Sequence, residues 1–162
     1  MNVARVFNPI GPGQPETQAF GGFAARLRSD APDPLVLVTG DLDTRRDFID
    51  VRDAARALVA VALRGEAGEA YHIGTGQSRT VREGLDRLIA LSGRQVSVVV
   101  DPNGNGRRGP ADSRADIARI TARTGWTPRI PFEQSLADLW AERSSRPADD
   151  AGPALQRLPL TA

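Results

Sequence analysis

Strands alternating with helices along most of the chain predict an α/β fold with a largely parallel sheet. Three observations carry that prediction. Short apolar runs end in Gly, Pro, Asn or Asp, and amphipathic stretches of helical period separate them. The composition, 40% hydrophobic and 25% charged over 162 residues, suits one globular domain large enough to bury a core.

The elements follow in order. Val3 to Phe7 reads as a strand stopped by Asn8-Pro9 and by the turn residues Gly11-Pro12-Gly13. Its start directly after Met1 reads like a sequence that begins within a domain. Phe20, Phe23, Ala24 and Leu27 recur at helical spacing and predict a helix over 18–28. Leu35-Val36-Leu37-Val38 is a strand turned by Thr39-Gly40-Asp41, and an extended piece over 46–50 leads into a helix over 51–63. In that helix Val51, Ala55, Leu58, Val59, Ala62 and Leu63 form one apolar face, expected to meet the core, opposite Arg52, Asp53 and Arg56. Asp53 is expected only to decorate the first helical turn, where a carboxylate suits the dipole.

Ala70 to Ile73 reads as a buried strand with Gly74-Thr75-Gly76 as its turn. Thr80 and Glu83 fit a capping box opening a helix whose core face is Val81, Leu85, Leu88 and Ile89. Val96 to Val100 is the last strand, and 101–114 a polar loop. Asp116 is expected to cap a short helix with Ile117 and Ile120 inward, closed by Gly125 and Pro128. The final helix, 132–143, carries Phe132, Leu136, Leu139 and Trp140, and Trp126 and Trp140 read as core anchors. Residues 1–144 are taken as the ordered portion and 145–162 as a flexible tail.

Composition excludes several chemistries. With no Cys there are no disulfides, thiolate metal sites or thiol nucleophiles. All 21 basic residues are Arg, so Schiff-base chemistry and Lys-based catalytic pairs are excluded. The one His, His72, rules out a multi-His metal site and reads as a hydrogen-bonded residue of a buried strand. A net charge of +1 gives no field for nucleic-acid binding. No apolar run reaches membrane-spanning length and the amino terminus lacks the regions of a signal peptide, so a cytoplasmic location without membrane contact is expected.

Four motifs occur in order: Arg5-Val6-Phe7-Asn8-Pro9-Ile10-Gly11-Pro12-Gly13-Gln14, Arg46-Asp47-Phe48-Ile49-Asp50-Val51-Arg52-Asp53, Tyr71-His72-Ile73-Gly74-Thr75-Gly76 and Thr124-Gly125-Trp126-Thr127-Pro128. In these motifs the chain, over 2–142, resembles the carboxy-terminal half of an extended short-chain dehydrogenase/reductase of the NAD-dependent epimerase/dehydratase family. Within that family it is most similar to the GDP-4-keto-6-deoxymannose reductases and GDP-mannose dehydratases. The resemblance implies an incomplete Rossmann-like parallel sheet with a small α/β substrate-binding subdomain, without the amino-terminal cofactor-binding half. The family's Gly-rich cofactor loop and Tyr-x-x-x-Lys are absent here, since Tyr71 is the only tyrosine and there is no Lys.

The same resemblance assigns candidate residues. Asn8 falls where the family places an Asn near nicotinamide and substrate diphosphate; a turn-capping Asn is the plainer alternative. Arg46 matches the Arg that pairs with the diphosphate, a planar fork of donors suited to phosphate oxygens. Its alternatives are a surface ion pair with Asp43 or Asp47, or replacement by Arg45 in a slipped register. Arg107 and Arg108 lie where the family presents an Arg to ribose or phosphate, or else face solvent. Asp112 and Asp116 are candidate ribose contacts. Gly74-Thr75-Gly76-Gln77-Ser78-Arg79 imitates a dinucleotide fingerprint, but its third Gly is replaced by Arg79 and it reads as a structural turn.

The expectation is a portion that binds a nucleotide-sugar, GDP-sugar foremost, and is inactive alone. The intact family enzyme uses NAD(P); this chain alone is expected to hold no cofactor. A separate cofactor-binding chain or a second copy is the expected protein partner. The alternative is a non-catalytic interaction module, because Val3 to Phe7 would leave an unpaired apolar edge.

Overall fold

The computed structural model describes residues 1–101 and 110–145. The elements are β1 (Val3–Val6), β2 (Asn8–Ile10), α1 (Ala19–Leu27), β3 (Leu35–Thr39), β4 (Arg45–Arg46), β5 (Phe48–Asp50), α2 (Val51–Arg64), β6 (Ala70–Ile73), β7 (Arg79–Thr80), α3 (Val81–Ser92), β8 (Val96–Val100), β9 (Asp112–Ser113), α4 (Ala118–Thr124) and α5 (Phe132–Ser145). The chain is α/β with small sheets. β1 pairs with β6, β2 with β5 and β3 with β8, all parallel, while β4 lies between an antiparallel β7 and a parallel β9.

Two cores result. One gathers α1, α3 and α5 with β3 and β8 around Phe20, Leu27, Leu37, Leu85, Leu88, Leu136 and Leu139. Its centre is aromatic: the Phe20 and Phe48 rings meet edge to face at 4.9 Å, and Phe48 stacks on Phe132 at 5.5 Å. Gly84 permits this, because a Cβ there would stand 2.2 Å from the Phe20 ring. The other core sets α2 and α4 against β6 around Ile49, Ala57, Val61, Tyr71, Ile73, Ile120 and Trp126. β5 joins them: strand alternation sends Phe48 into the first core and Ile49 into the second.

Several predicted features are present. α3 opens on the capping box, with Glu83 N–H donating to Thr80 Oγ1 at 3.1 Å and Thr80 N–H to Glu83 Oε2 at 2.8 Å. Asp116 accepts the Ala118 N–H at 2.9 Å, although the cap position of α4 falls on Ile117, one residue later than expected. No described helix is long and apolar enough to cross a membrane.

Other expectations are corrected. Asn8-Pro9 does not end the extended chain: β2 continues through it and pairs with β5, Pro9 lying at an edge where its missing N–H is tolerated. The polar loop after β8 contains β9. His72 is half-buried rather than buried, with its ring edge-on to Phe7 at 5.8 Å. Trp140 is likewise half-buried, under the Arg28 guanidinium.

The largest correction concerns α2. Its inward face is Asp53, Ala54, Ala57, Ala60 and Val61, whereas Val51, Leu58, Val59 and Leu63 are exposed, Leu63 by 76%. Small side chains let the helix lie close on β1 and β6, and a buried Asp53 is tolerated because it is fully hydrogen-bonded, as described below. Ala57→Leu is therefore expected to cost about 1–3 kcal/mol through overpacking. Leu63→Ala is expected to stay within about 0.5 kcal/mol. Urea midpoints of the two variants check the orientation of the helix; the reverse order would contradict it.

Candidate functional site

The site is built around Asp47, which stands between β4 and β5. Its carboxylate is fully buried and accepts four hydrogen bonds: from Thr75 N–H at 2.8 Å, Thr75 Oγ1 at 2.7 Å, Gly76 N–H at 2.9 Å and Ala115 N–H at 3.0 Å. Its backbone carbonyl receives the Asn8 N–H at 3.1 Å and Asn8 Nδ2 at 2.9 Å, and its own N–H donates to the Ser113 carbonyl at 2.9 Å. One residue thus ties together the start of β2, the turn after β6 and the strand β9. Gly74 is required there, since a Cβ would fall 2.7 Å from the Asp47 carboxylate and 2.5 Å from Ala115.

This clasp explains the turn that imitates a dinucleotide fingerprint. The Thr75 and Gly76 amides, which such a loop would turn toward a pyrophosphate, are engaged by Asp47. The segment is a structural turn, as its missing third glycine predicts.

Next to the clasp, past the carboxyl end of β1, a shallow recess of about 300 Å³ is lined by Arg5, Val6, Phe7, Asn8, Arg46, Pro110 and Ser113. Among the described residues two guanidinium groups border it and no carboxylate does. Arg46 donates to the Arg45 and Pro110 carbonyls, both at 2.7 Å, and among the described residues it pairs with no carboxylate. Neither of the proposed ion-pair partners is on it: Asp43 meets Arg82 at 3.2 Å, and the Asp47 carboxylate faces the amides. Position in a recess at the carboxyl ends of parallel strands is where open α/β sheets bind ligands.

The other candidates separate. Asn8 lines the recess, although its amide nitrogen is held by Asp47. Arg45 points to the other side of β4, donating to Ser78 Oγ at 3.3 Å and to the Ser78 carbonyl at 2.8 Å. Asp112 stands opposite Arg45 in β9 and lies 3.9 Å from it, so it joins that side rather than the recess. Arg107 and Arg108 lie outside the described residues. Arg5 was not among the expected site residues. The signal for it is alternation along the extended chain, which places it on the same side as Phe7, two residues on.

Two further carboxylates fix the surroundings. Asp50 caps α2 and accepts from Arg52 N–H at 2.8 Å, from the Arg52 guanidinium at 2.9 and 2.8 Å, and from Ser135 Oγ at 2.7 Å; Arg52 also reaches Asp138 at 2.6 Å. Burial works to raise the Asp50 pKa, but the hydrogen bonds from Arg52 and Ser135 outweigh it and hold the carboxyl below its ordinary range. Asp53 does more than decorate its helix. It is fully buried, accepts the N–H groups of Arg129 and Ile130 at 2.9 and 2.8 Å, and is paired with Arg56. Among the described residues no cluster of His, Asp or Glu could hold a metal ion.

With the geometry in place, known proteins offer a comparison. Residues 1–74 match the family model described as NAD dependent epimerase/dehydratase family. The chain is 35% identical over 147 residues to the GDP-6-deoxy-D-mannose reductase of Pseudomonas aeruginosa, covering 89% of this chain and 48% of that protein. It is 30% identical over 149 residues to the dTDP-6-deoxy-L-talose 4-dehydrogenase (NAD(P)(+)) of Kitasatospora kifunensis, covering 90% and 46%. A structure of RMD from Pseudomonas aeruginosa complexed with NADPH aligns with a TM-score of 0.77 at 33% identity, over 87% of this chain and 47% of that one.

By fold, the chain is similar to extended short-chain dehydrogenases/reductases over about half of their length. Its similarity falls within the NAD dependent epimerase/dehydratase family, through the match of residues 1–74 and the likeness to these enzymes. It spans about half the length of the curated relatives it matches.

Asp47→Ala would leave the Thr75, Gly76 and Ala115 amides without their acceptor, at about 1–3 kcal/mol each. A total loss of about 3 kcal/mol or more is expected from denaturant unfolding. Asp50 makes a second expectation. A carboxyl whose folded pKa is depressed stabilises the fold above its unfolded value of about 4, and that contribution is lost as the pH falls through the folded pKa. Asp50→Asn should therefore lose less stability than the unsubstituted chain as the pH falls below about 4, read from acid-unfolding curves.

Proposed function

We propose that this chain is the nucleotide-sugar-binding portion of an NAD(P)-dependent sugar-nucleotide reductase, epimerase or dehydratase, and that it has no activity alone. The observation that carries the reading is the recess bordered by Arg5 and Arg46, with Asn8 beside them and no carboxylate among the described residues that line it. Such a site fits a diphosphate, whose oxygens accept from guanidinium forks. Arg107 and Arg108 add a contact to ribose or phosphate in this reading, and Asn8 also lies toward the nicotinamide. Asp112 is kept as a ribose contact, though its place beside Arg45 lends this role less support than the recess lends Arg46. Likeness to a GDP-6-deoxy-D-mannose reductase favours a GDP-sugar.

The cofactor of the intact enzyme is NAD(P), which would supply or accept hydride. This chain does not hold it alone in our reading. The engagement of the Thr75 and Gly76 amides by Asp47 supports this, because it removes the one turn that resembles a cofactor loop. The absence of Lys, and so of Tyr-x-x-x-Lys, supports inactivity. A cytoplasmic location is part of the same reading.

A second reading, a non-catalytic interaction module, is favoured by β1. Among the described residues that strand pairs on one side only, with β6, and Val3 and Val6 are exposed. A monomer whose sedimentation is independent of concentration would count against it.

Thermal unfolding of the chain with GDP-, dTDP- and UDP-sugars and with NADPH tests the first reading. Ligand at about a hundred times its Kd should add about 2.7 kcal/mol of apparent stability. A rise with one class of nucleotide-sugar and none with NADPH is expected. Arg46→Ala should weaken that binding about tenfold or more, the usual scale for a lost charge-assisted hydrogen bond. Unchanged affinity in this variant would remove Arg46 from the site.

A further inference from the structure

The α2 helix is turned so that its large aliphatic side chains face outward, and on one flank they border a groove. Val59, 58% exposed, and Leu63 stand on one side; Gly125, Trp126, Thr127 and Arg129 form the opposite wall, enclosing about 450 Å³. Both walls are fixed. Asp53 on α2 accepts the Arg129 and Ile130 N–H groups, and Thr121 Oγ1 and Thr124 Oγ1 bond the Trp126 carbonyl and N–H at 3.1 and 3.2 Å. The groove needs no rearrangement to receive a partner.

Its charge is of one sign. Arg56, Arg64 and Arg129 border it, and among the described residues no Asp or Glu lines it. Arg56 is paired with buried Asp53, whereas Arg64 and Arg129 take part in none of the ion pairs among the described residues. A second copy of the chain docked here would bring arginines against arginines. An aliphatic trough with a basic border instead complements a helix that is apolar on one face and acidic beside it.

We infer that the groove between α2 and Gly125–Arg129 is a docking site for an acidic amphipathic helix of a partner polypeptide, with Val59 and Leu63 as anchors and Arg64 and Arg129 as charge contacts. The inference is independent of the Arg46 recess, and nucleotide-sugar binding should persist when the groove is altered.

Selection of a phage-displayed library of helical peptides on the 162-residue chain, with counter-selection on the Val59→Glu/Leu63→Glu variant, tests it. Both positions are exposed, so the variant should unfold at the temperature of the unsubstituted chain. Enrichment of peptides that carry apolar residues three and four apart with flanking Asp or Glu is expected. Their affinity should fall about tenfold or more with Arg64→Glu/Arg129→Glu and fall again in high salt. Failure to enrich over the counter-selection, or enrichment of neutral or basic peptides, would overturn the proposal. So would a Val59→Glu/Leu63→Glu chain that changes from dimer to monomer in sedimentation, or that loses binding to phosphatidylserine vesicles. Those last two results would assign the face to self-association or to a lipid surface.

Discussion

A single buried carboxylate organises this molecule. Asp47 has no cationic partner in its hydrogen-bond set; it is satisfied by three backbone N–H groups and a hydroxyl drawn from two separate segments. An ionised group can be buried only when its oxygens are met in this way, so the segments that meet them are fixed with it. Arg46 precedes it and Asn8 binds its carbonyl, and the recess those residues line inherits its shape from the clasp. The turn after β6 is fixed by the same contact, which is why glycine-rich sequence there ends in a closed structure and not an anion cradle.

Acidic residues play this part repeatedly. Asp47, Asp50 and Asp53 follow one another along β5 and the start of α2, all essentially buried. Each faces a different neighbour: the turn and β9, the α5 helix through Ser135, and the Arg129–Ile130 backbone before α5. Connections between elements are thereby made polar and directional, and geometry decides which partners fit.

Much of this architecture was legible in the residues. Helix spacing, the Thr80–Glu83 box and the turn glycines located the helices and most strands, because those signals act locally. The orientation of α2 was not legible. Binary pattern assigns the Leu and Val stripe to the interior, but the helix lies close to its sheet, where alanines fit and bulky side chains do not. Asp53 was misread for a related reason: the N–H groups that donate to it come from residues 129 and 130, far away in sequence. Strands β4, β7 and β9 are two residues each and carry no periodicity to detect. In the site, Arg46 and Asn8 could be picked out by motif, while Arg5 emerges only when β1 is seen to end beside them.

The three-residue strand β5 has a mechanical consequence. Phe48 and Ile49 are bonded neighbours, yet each is a member of a different apolar core. Neither core can loosen without pulling on the backbone of the other, so the chain should exchange its protected amides as one unit, not as two. Occupancy of the recess beside Arg46, two residues upstream of Phe48, would then be felt as slower exchange at α3 and α4 alike, and a binding event on the surface would be readable from either interior.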